Sequence, residues 1–192
     1  MKNIKSCILI FMILAITTGV IYPLAITALG QVFFQWRSNG SLIYKNNALI
    51  GSDLIGQSFN GSNLFWSRPS STPDFPYNSM ASGGSNLGPT NPELISRIKE
   101  RIKFLKENGL QSPIPSSLVM GSGSSLDPDI TPEAAISQVP RISKTTNIPV
   151  DILIELIKKN TKTRILGFIG AERVNVLKLN LALIDLEKQY AR

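Results

Sequence analysis

Four places in the sequence carry residue types that could do chemistry. Ser82-Gly83-Gly84-Ser85-Asn86-Leu87-Gly88 feeds small residues toward a helix start at Pro92. Exposed N–H groups and the helix dipole can cradle an anion in such a place. The loop has no Lys, and several residues separate its glycines from the helix, so a tight structural turn is the favoured reading. Gly51 to Ser58 has P-loop spacing, but Gln57 stands where a Lys must meet the terminal phosphates, which makes the match a coincidence. Asp127-Pro128-Asp129 places two carboxylates before another helix start. Two ligands are too few to specify Mg²⁺ or Ca²⁺, and a proline turn with an acid near the helix dipole accounts for them. Gln138 lies among Ala134, Ala135, Ile136 and Val139; it is expected to face solvent, with hydrogen bonding to a ligand or partner as the alternative.

What the chain lacks is as informative. It has no histidine and a single cysteine, Cys7. That removes Ser-His-Asp and Cys-His nucleophile systems, His- or thiolate-based zinc sites, and the commonest general base near neutral pH. Cys7 sits at the mouth of an apolar stretch, so there is no disulfide framework. Few means remain for an active site belonging to this chain alone.

Ser6 to Trp36 is thirty-one residues without a charged side chain. Its core, residues 8–29, would span about 33 Å as a helix at ~1.5 Å per residue, enough to cross a hydrocarbon core. A signal-peptide core is shorter, about 7–15 apolar residues, so a retained anchor is favoured. Lys2, Lys5 and the terminal amine precede the stretch, forming a basic tail over residues 1–5. Short positive tails stay in the cytoplasm, which puts a domain over residues 39–192 outside it. Setting aside Lys2, Lys5 and Arg37 leaves 17 of the 20 basic residues against all 13 acids, a balance of +4. That is ordinary solubility, not the field of a nucleic-acid binder.

The elements of the domain follow from local signals. Leu42 to Lys45 and Ala48 to Ile50 flank Asn46-Asn47 as a hairpin. Trp66 to Pro92 reads as a long loop of functional length, and Leu110 to Ile130 as a second irregular stretch. Asn91-Pro92-Glu93 and Thr131-Pro132-Glu133 are helix starts. The first opens a stripe of Leu94, Ile95, Ile98, Ile102 and Leu105 ended by Asn108-Gly109, its basic residues forming a solvated face. The second must kink or end at Pro140. Val150 to Ile157 reads as a helix, Arg164 to Gly170 and Val174 to Leu179 as strands, and Leu181 to Gln189 as a terminal helix. The fold class is α+β: one transmembrane helix followed by a single mixed α/β domain.

Read together, NGSLI at Asn39–Ile43, GSDLIGQSF at Gly51–Phe59, RPS at Arg68–Ser70, YNSMASGGSNLGPTNPEL at Tyr77–Leu94, SSLDPDITPEAAISQVPRISK at Ser124–Lys144 and VNVLKLNLAL at Val174–Leu183 resemble the KdpC family. This is the C subunit of the bacterial Kdp-type potassium-transporting P-type ATPase. The matches run in order over nearly the whole chain. Two departures are Ser71, where Ala is usual, and Asp129, where the family often has His or Asn; the second puts a role for that acid in doubt.

The resemblance implies a non-catalytic accessory subunit in the bacterial inner membrane. Its partners would be the P-type catalytic subunit, a potassium-channel-like subunit and a small membrane subunit, with membrane lipid around the anchor and no nucleic acid. It implies a role in assembly and a proposed role as a catalytic chaperone that raises ATP affinity. ATP would be a ligand shared with the catalytic subunit, with no cofactor of the chain's own. The nucleotide-binding positions it implies are Ser82, Gly83, Gly84, Ser85 and Gln138. An outward-facing domain conflicts with nucleotide binding, and bracing of the transport subunits is the preferred mechanism. The rival from another class is an anchored exported enzyme, such as a carboxylate-based cell-wall hydrolase.

Overall fold

Asn39-Gly40 divides an apolar chain from a mixed one, and the computed structural model separates there into two units, Met1–Leu42 and Ile43–Arg192. It describes residues 2–190; the terminal amine at Met1, and Ala191 and Arg192 at the end of the expected domain, lie outside the described residues.

In the first unit α1 (Lys2–Ile16), a π turn (Thr17–Ile21) and α2 (Tyr22–Phe33) run without interruption. Pro23 has no N–H to offer Gly19, and the backbone adjusts around it. The Tyr22 N–H reaches back to the Thr17 carbonyl, an i→i−5 bond, and Thr18 Oγ1 donates to the Leu14 carbonyl at 2.8 Å. The helix Asn3–Phe33 is 31 residues long with a mean hydropathy of 2.4, and its most apolar window is 0% buried. Among the described residues it is the one helix long and apolar enough to cross a membrane. A short α3 (Gln35–Ser38) follows, and the Trp36 indole donates to the Leu42 carbonyl at 2.9 Å.

The second unit opens with the expected hairpin, β1 (Leu42–Lys45) and β2 (Ala48–Ser52), turned by Asn46 and Asn47 at φ 52° and 62°. No helix or longer strand then forms until α4 (Pro92–Glu107). Asn91 caps α4 by accepting from the Glu93 N–H at 2.8 Å, and Gly109 ends it at φ +91°. After β3 (Asp129–Ile130), Thr131 caps α5 (Pro132–Ile136) through the Ala134 N–H at 3.2 Å. Pro140 does end that helix: the chain resumes as α6 (Val139–Thr146), which stops at Asn147 in the left-handed region.

Next come α7 (Val150–Asn160), β4 (Thr161–Lys162), β5 (Arg173–Asn175) and α8 (Val176–Tyr190). The sheet is antiparallel in the order β3-β5-β4, with Ile130 opposite Val174 and Thr161 opposite Val174 on the other side. Leu105, Leu118, Ile142, Leu153, Ile157, Leu179 and Leu183 pack into one core together with Phe65 and Trp66. The fold class is α+β, as expected.

Two strand readings are corrected. Val174 to Leu179 is strand only as far as Asn175, because Asn175 Oδ1 accepts from the Lys178 N–H at 3.0 Å and starts α8. Arg164 to Gly170 is a tight turn: Leu166 and Gly167 take successive φ of 55° and 82°, which reverse the chain so that Ile165 faces Ile169. Only Ile165 and Ile169 still pair there.

Candidate functional site

The domain is built around a stretch with no regular structure, Ser62 to Ser67, whose Phe65 and Trp66 are 0% and 2% exposed. Buried backbone outside a helix or sheet must find partners elsewhere. Here side chains of α4, α6 and α8, and of the residue just before α6, supply them. Asn180 of α8 takes both polar groups of Phe65, accepting from its N–H at 2.8 Å and donating to its carbonyl at 2.9 Å. Gln138 does the same for Trp66, accepting from its N–H at 2.7 Å and donating to its carbonyl at 3.2 Å. Arg141 donates to the carbonyls of Ser62 and Leu64, and Arg101 of α4 donates to that of Ser67 at 3.2 Å. Two side-chain amides thus stand in for neighbouring β-strands.

Gln138 does not face solvent as expected; it is fully buried. Because Pro140 breaks the helix, Gln138 falls in the junction between α5 and α6 rather than on the outer face of a continuing helix. Its amide also donates to the Ala134 carbonyl at 3.1 Å, and its oxygen accepts from Arg141 at 3.0 Å. Both the acceptor and the donor ends are therefore engaged within the chain. A nucleotide reaching this amide would first have to displace the Trp66 backbone.

Arg141 is the unexpected member. Its guanidinium stacks 3.7 Å over the Trp66 ring and is met by carbonyls and the Gln138 oxygen, with no carboxylate partner among the described residues. Burial pushes its pKa down to about 10. Arg101 likewise leaves the solvated face expected for α4: it reaches the Leu118 carbonyl at 3.0 Å, and burial lowers its pKa. Arg97 stays on the expected solvated face and pairs with Glu93 across one exposed turn.

Ser82 to Ser85 lies elsewhere. The Ser82 hydroxyl and the Gly83 N–H both donate to the Ser124 carbonyl, at 3.3 and 3.1 Å. A Cβ at Gly84 would stand 3.1 Å from the Gly123 carbonyl oxygen, so the two loops touch backbone to backbone. Ser85 borders a groove of about 450 Å³ walled by Leu94, Ile98 and Phe104 of α4 and by Val119 and Met120, and Gln138 is not part of its lining. The structure therefore does not bring the glycine loop and Gln138 into one site.

The P-loop-like segment also has another occupation. Gln57 folds back to donate to the Ile50 carbonyl at 2.7 Å, where it fills the space over Gly51. Asp127 and Asp129 are held in ion pairs that their spacing did not announce. Asp127 pairs with Arg68 at 3.0 Å and accepts from the Asp129 N–H, while Asp129 pairs with Arg173 at 3.0 Å. Burial raises the Asp129 pKa, opposed by Lys162 and reinforced by Asp127. Its Oδ1 is buried without a hydrogen-bond partner among the described residues.

The family model for the K⁺-transporting ATPase c chain, KdpC, matches residues 4–185 of this sequence. This chain belongs to the KdpC family. It is similar to a "Potassium-transporting ATPase KdpC subunit" from Citrifermentans bemidjiense, 46% identical over 190 residues that cover 98% of this chain and all of that one. The proteins of the same description from Polynucleobacter asymbioticus and Geotalea uraniireducens are each 47% identical, over 95% and 98% of this chain and 98% and 100% of theirs. The family membership and the apolar helix together make it a membrane-associated, single-pass protein.

Within the family frame, the residues that sequence reasoning passed over are Asn180, Arg141 and the Ser62–Ser67 stretch. A signal existed. Asn180 interrupts the apolar run Leu179 to Ile184, and Arg141 stands next to Ile142 at 0% exposure. A polar side chain on an apolar helix face announces a buried partner.

Proposed function

We propose that this chain is the non-catalytic accessory subunit of an ATP-driven potassium importer. Its helix docks on the membrane subunits and its domain braces their outward face. The names of its relatives supply the transport system. The cations at Lys2 and Lys5 supply the orientation. The observation that carries the mechanism is the Gln138 amide, buried and bonded at both ends to its own chain. In this reading Gln138 and the loop at Ser82, Gly83, Gly84 and Ser85 support the fold, and ATP affinity belongs to the hydrolysing subunit. The hydrolase alternative is not favoured: the relatives are named as transport-ATPase subunits, and the half-buried acids Asp53, Asp127 and Asp129 are each ion-paired to a lysine or arginine.

The test is assembly. Membranes lacking this chain should yield no intact potassium-stimulated ATPase, and a tagged copy should restore it and co-purify with the catalytic and channel-like subunits. An ATPase that assembles and turns over fully without the chain would end the proposal. A phosphatase reporter at the carboxyl terminus should be active outside the cytoplasm; activity of a cytoplasmic reporter instead would remove the bracing mechanism while leaving subunit membership intact.

A further inference from the structure

The turn between β4 and β5 exposes the densest apolar cluster on the domain. Ile165, Leu166, Phe168 and Ile169 are 64%, 79%, 72% and 48% exposed within five residues. The turn is ordered by its own backbone: Ile165 and Ile169 exchange two hydrogen bonds of 2.9 Å, and Gly167 donates to the Arg164 carbonyl at 3.2 Å. Leu166 holds φ +55°, a conformation disfavoured for a side chain with a Cβ and better served by Gly or Asn. Turn geometry therefore does not account for a leucine there, and its apolar side chain needs another reason.

The sequence flanking this tip is cationic. From Lys158 to Arg173 the sequence holds Lys158, Lys159, Lys162, Arg164 and Arg173 against one acid, Glu172. Lys159, Lys162 and Arg173 are drawn into pairs with Glu155, Asp53 and Asp129, while Lys158 and Arg164 make no ion pair among the described residues. The other exposed apolar loop of the domain differs on this point. Phe75 and Met80 are 52% and 89% exposed, yet no basic residue occurs between Arg68 and Arg97.

We propose that the Ile165–Ile169 tip inserts into an anionic bilayer surface, with Lys158 and Arg164 meeting lipid phosphates around it. Apolar side chains within a basic collar are the composition that binds an interface by burial and charge together. The chain supplies the bilayer itself, because the helix Asn3–Phe33 tethers the domain to one. A tether turns the second contact into an intramolecular event at high effective concentration, so a small tip suffices. The contact needs no other subunit.

Cys7 is the only native cysteine, so Cys7→Ser provides a background for a nitroxide at Phe168→Cys or, as a control, at Met80→Cys. The full chain is placed in nanodiscs rich in phosphatidylglycerol, and collision of the label with oxygen and with a water-soluble nickel chelate is measured. The oxygen-to-nickel ratio at position 168 should exceed that at position 80 several-fold. Lys158→Glu with Arg164→Glu should return it toward the control. Equal ratios at the two positions would overturn the proposal, as would indifference to the charge reversal. Shielding at 168 that appears only after the other ATPase subunits are added would also overturn it and make the tip a protein-docking surface.

Discussion

The Ser62–Ser67 stretch and the Ile165–Ile169 turn are both irregular backbone, and they solve opposite problems. The first is buried from Phe65 to Ser67 and is met there by buried polar side chains: Gln138, Arg141 and Asn180 are 0%, 7% and 1% exposed. The second is exposed and carries four large apolar side chains. Inside the domain the backbone of Phe65 and Trp66 dictates what must come near, because an unpaired peptide group in a core is expensive. At the surface the backbone already satisfies itself, and the side chains are left for something beyond the chain. Hydrophobicity alone would have put each set of side chains in the other's place.

The largest effect should come from breaking the inner clamp. Gln138→Ala leaves the Trp66 N–H and carbonyl unpaired in a dry site and should cost about 3–5 kcal/mol, read as a loss of thermal stability of the full chain in detergent. Asn180→Leu fills the space but strands both polar groups of Phe65, and about 2–4 kcal/mol is expected by the same measurement. If either variant melts like the wild type, the clamp is not what holds the Ser62–Ser67 stretch.

A smaller, pH-dependent effect should appear at Asp129. Its folded pKa lies above the ordinary value of 3.8 because burial disfavours the charge. Protonation therefore favours the fold; that contribution is complete below the unfolded pKa and lost as pH rises through the folded one. Asp129→Asn carries no charge at any pH, so its melting temperature relative to wild type should rise from acid toward neutral pH. A difference that stays flat with pH would remove the burial cost from the account.

The smallest stability change belongs to the outer turn. Leu166→Ser with Phe168→Ser should stay within about 0.5 kcal/mol of wild type, because neither side chain packs in the core. A large loss would mean that the turn is part of the folded core after all.

The difference between the two regions also explains what could be read in advance. Asn91-Pro92 and Thr131-Pro132 gave correct helix starts, and Pro140 a correct break, because capping and proline chemistry act within a few residues. The anchor was legible for the same reason: its length and composition are local facts. Val174 to Leu179 failed as a strand because Asn175 resembles any polar residue in an alternating run until its side chain is seen accepting from Lys178. Gln138 was misplaced because its partner, Trp66, is 72 residues away. Nothing near position 138 indicates that a buried loop needs an amide there, though Arg141 three residues on was a clue of the right kind. The glycine loop could be located but not interpreted, since its contact with Ser124 joins two stretches that both looked merely irregular.

The assembled ATPase carrying Gln138→Ala tests the central claim when its ATP concentration dependence is measured beside its melting temperature. Support of the fold by this amide predicts lower melting temperatures and poorer yield, with the apparent ATP affinity of the intact complexes unchanged. A weakened ATP affinity at unchanged melting temperature would contradict it, and would place Gln138 at a nucleotide instead of beneath Trp66.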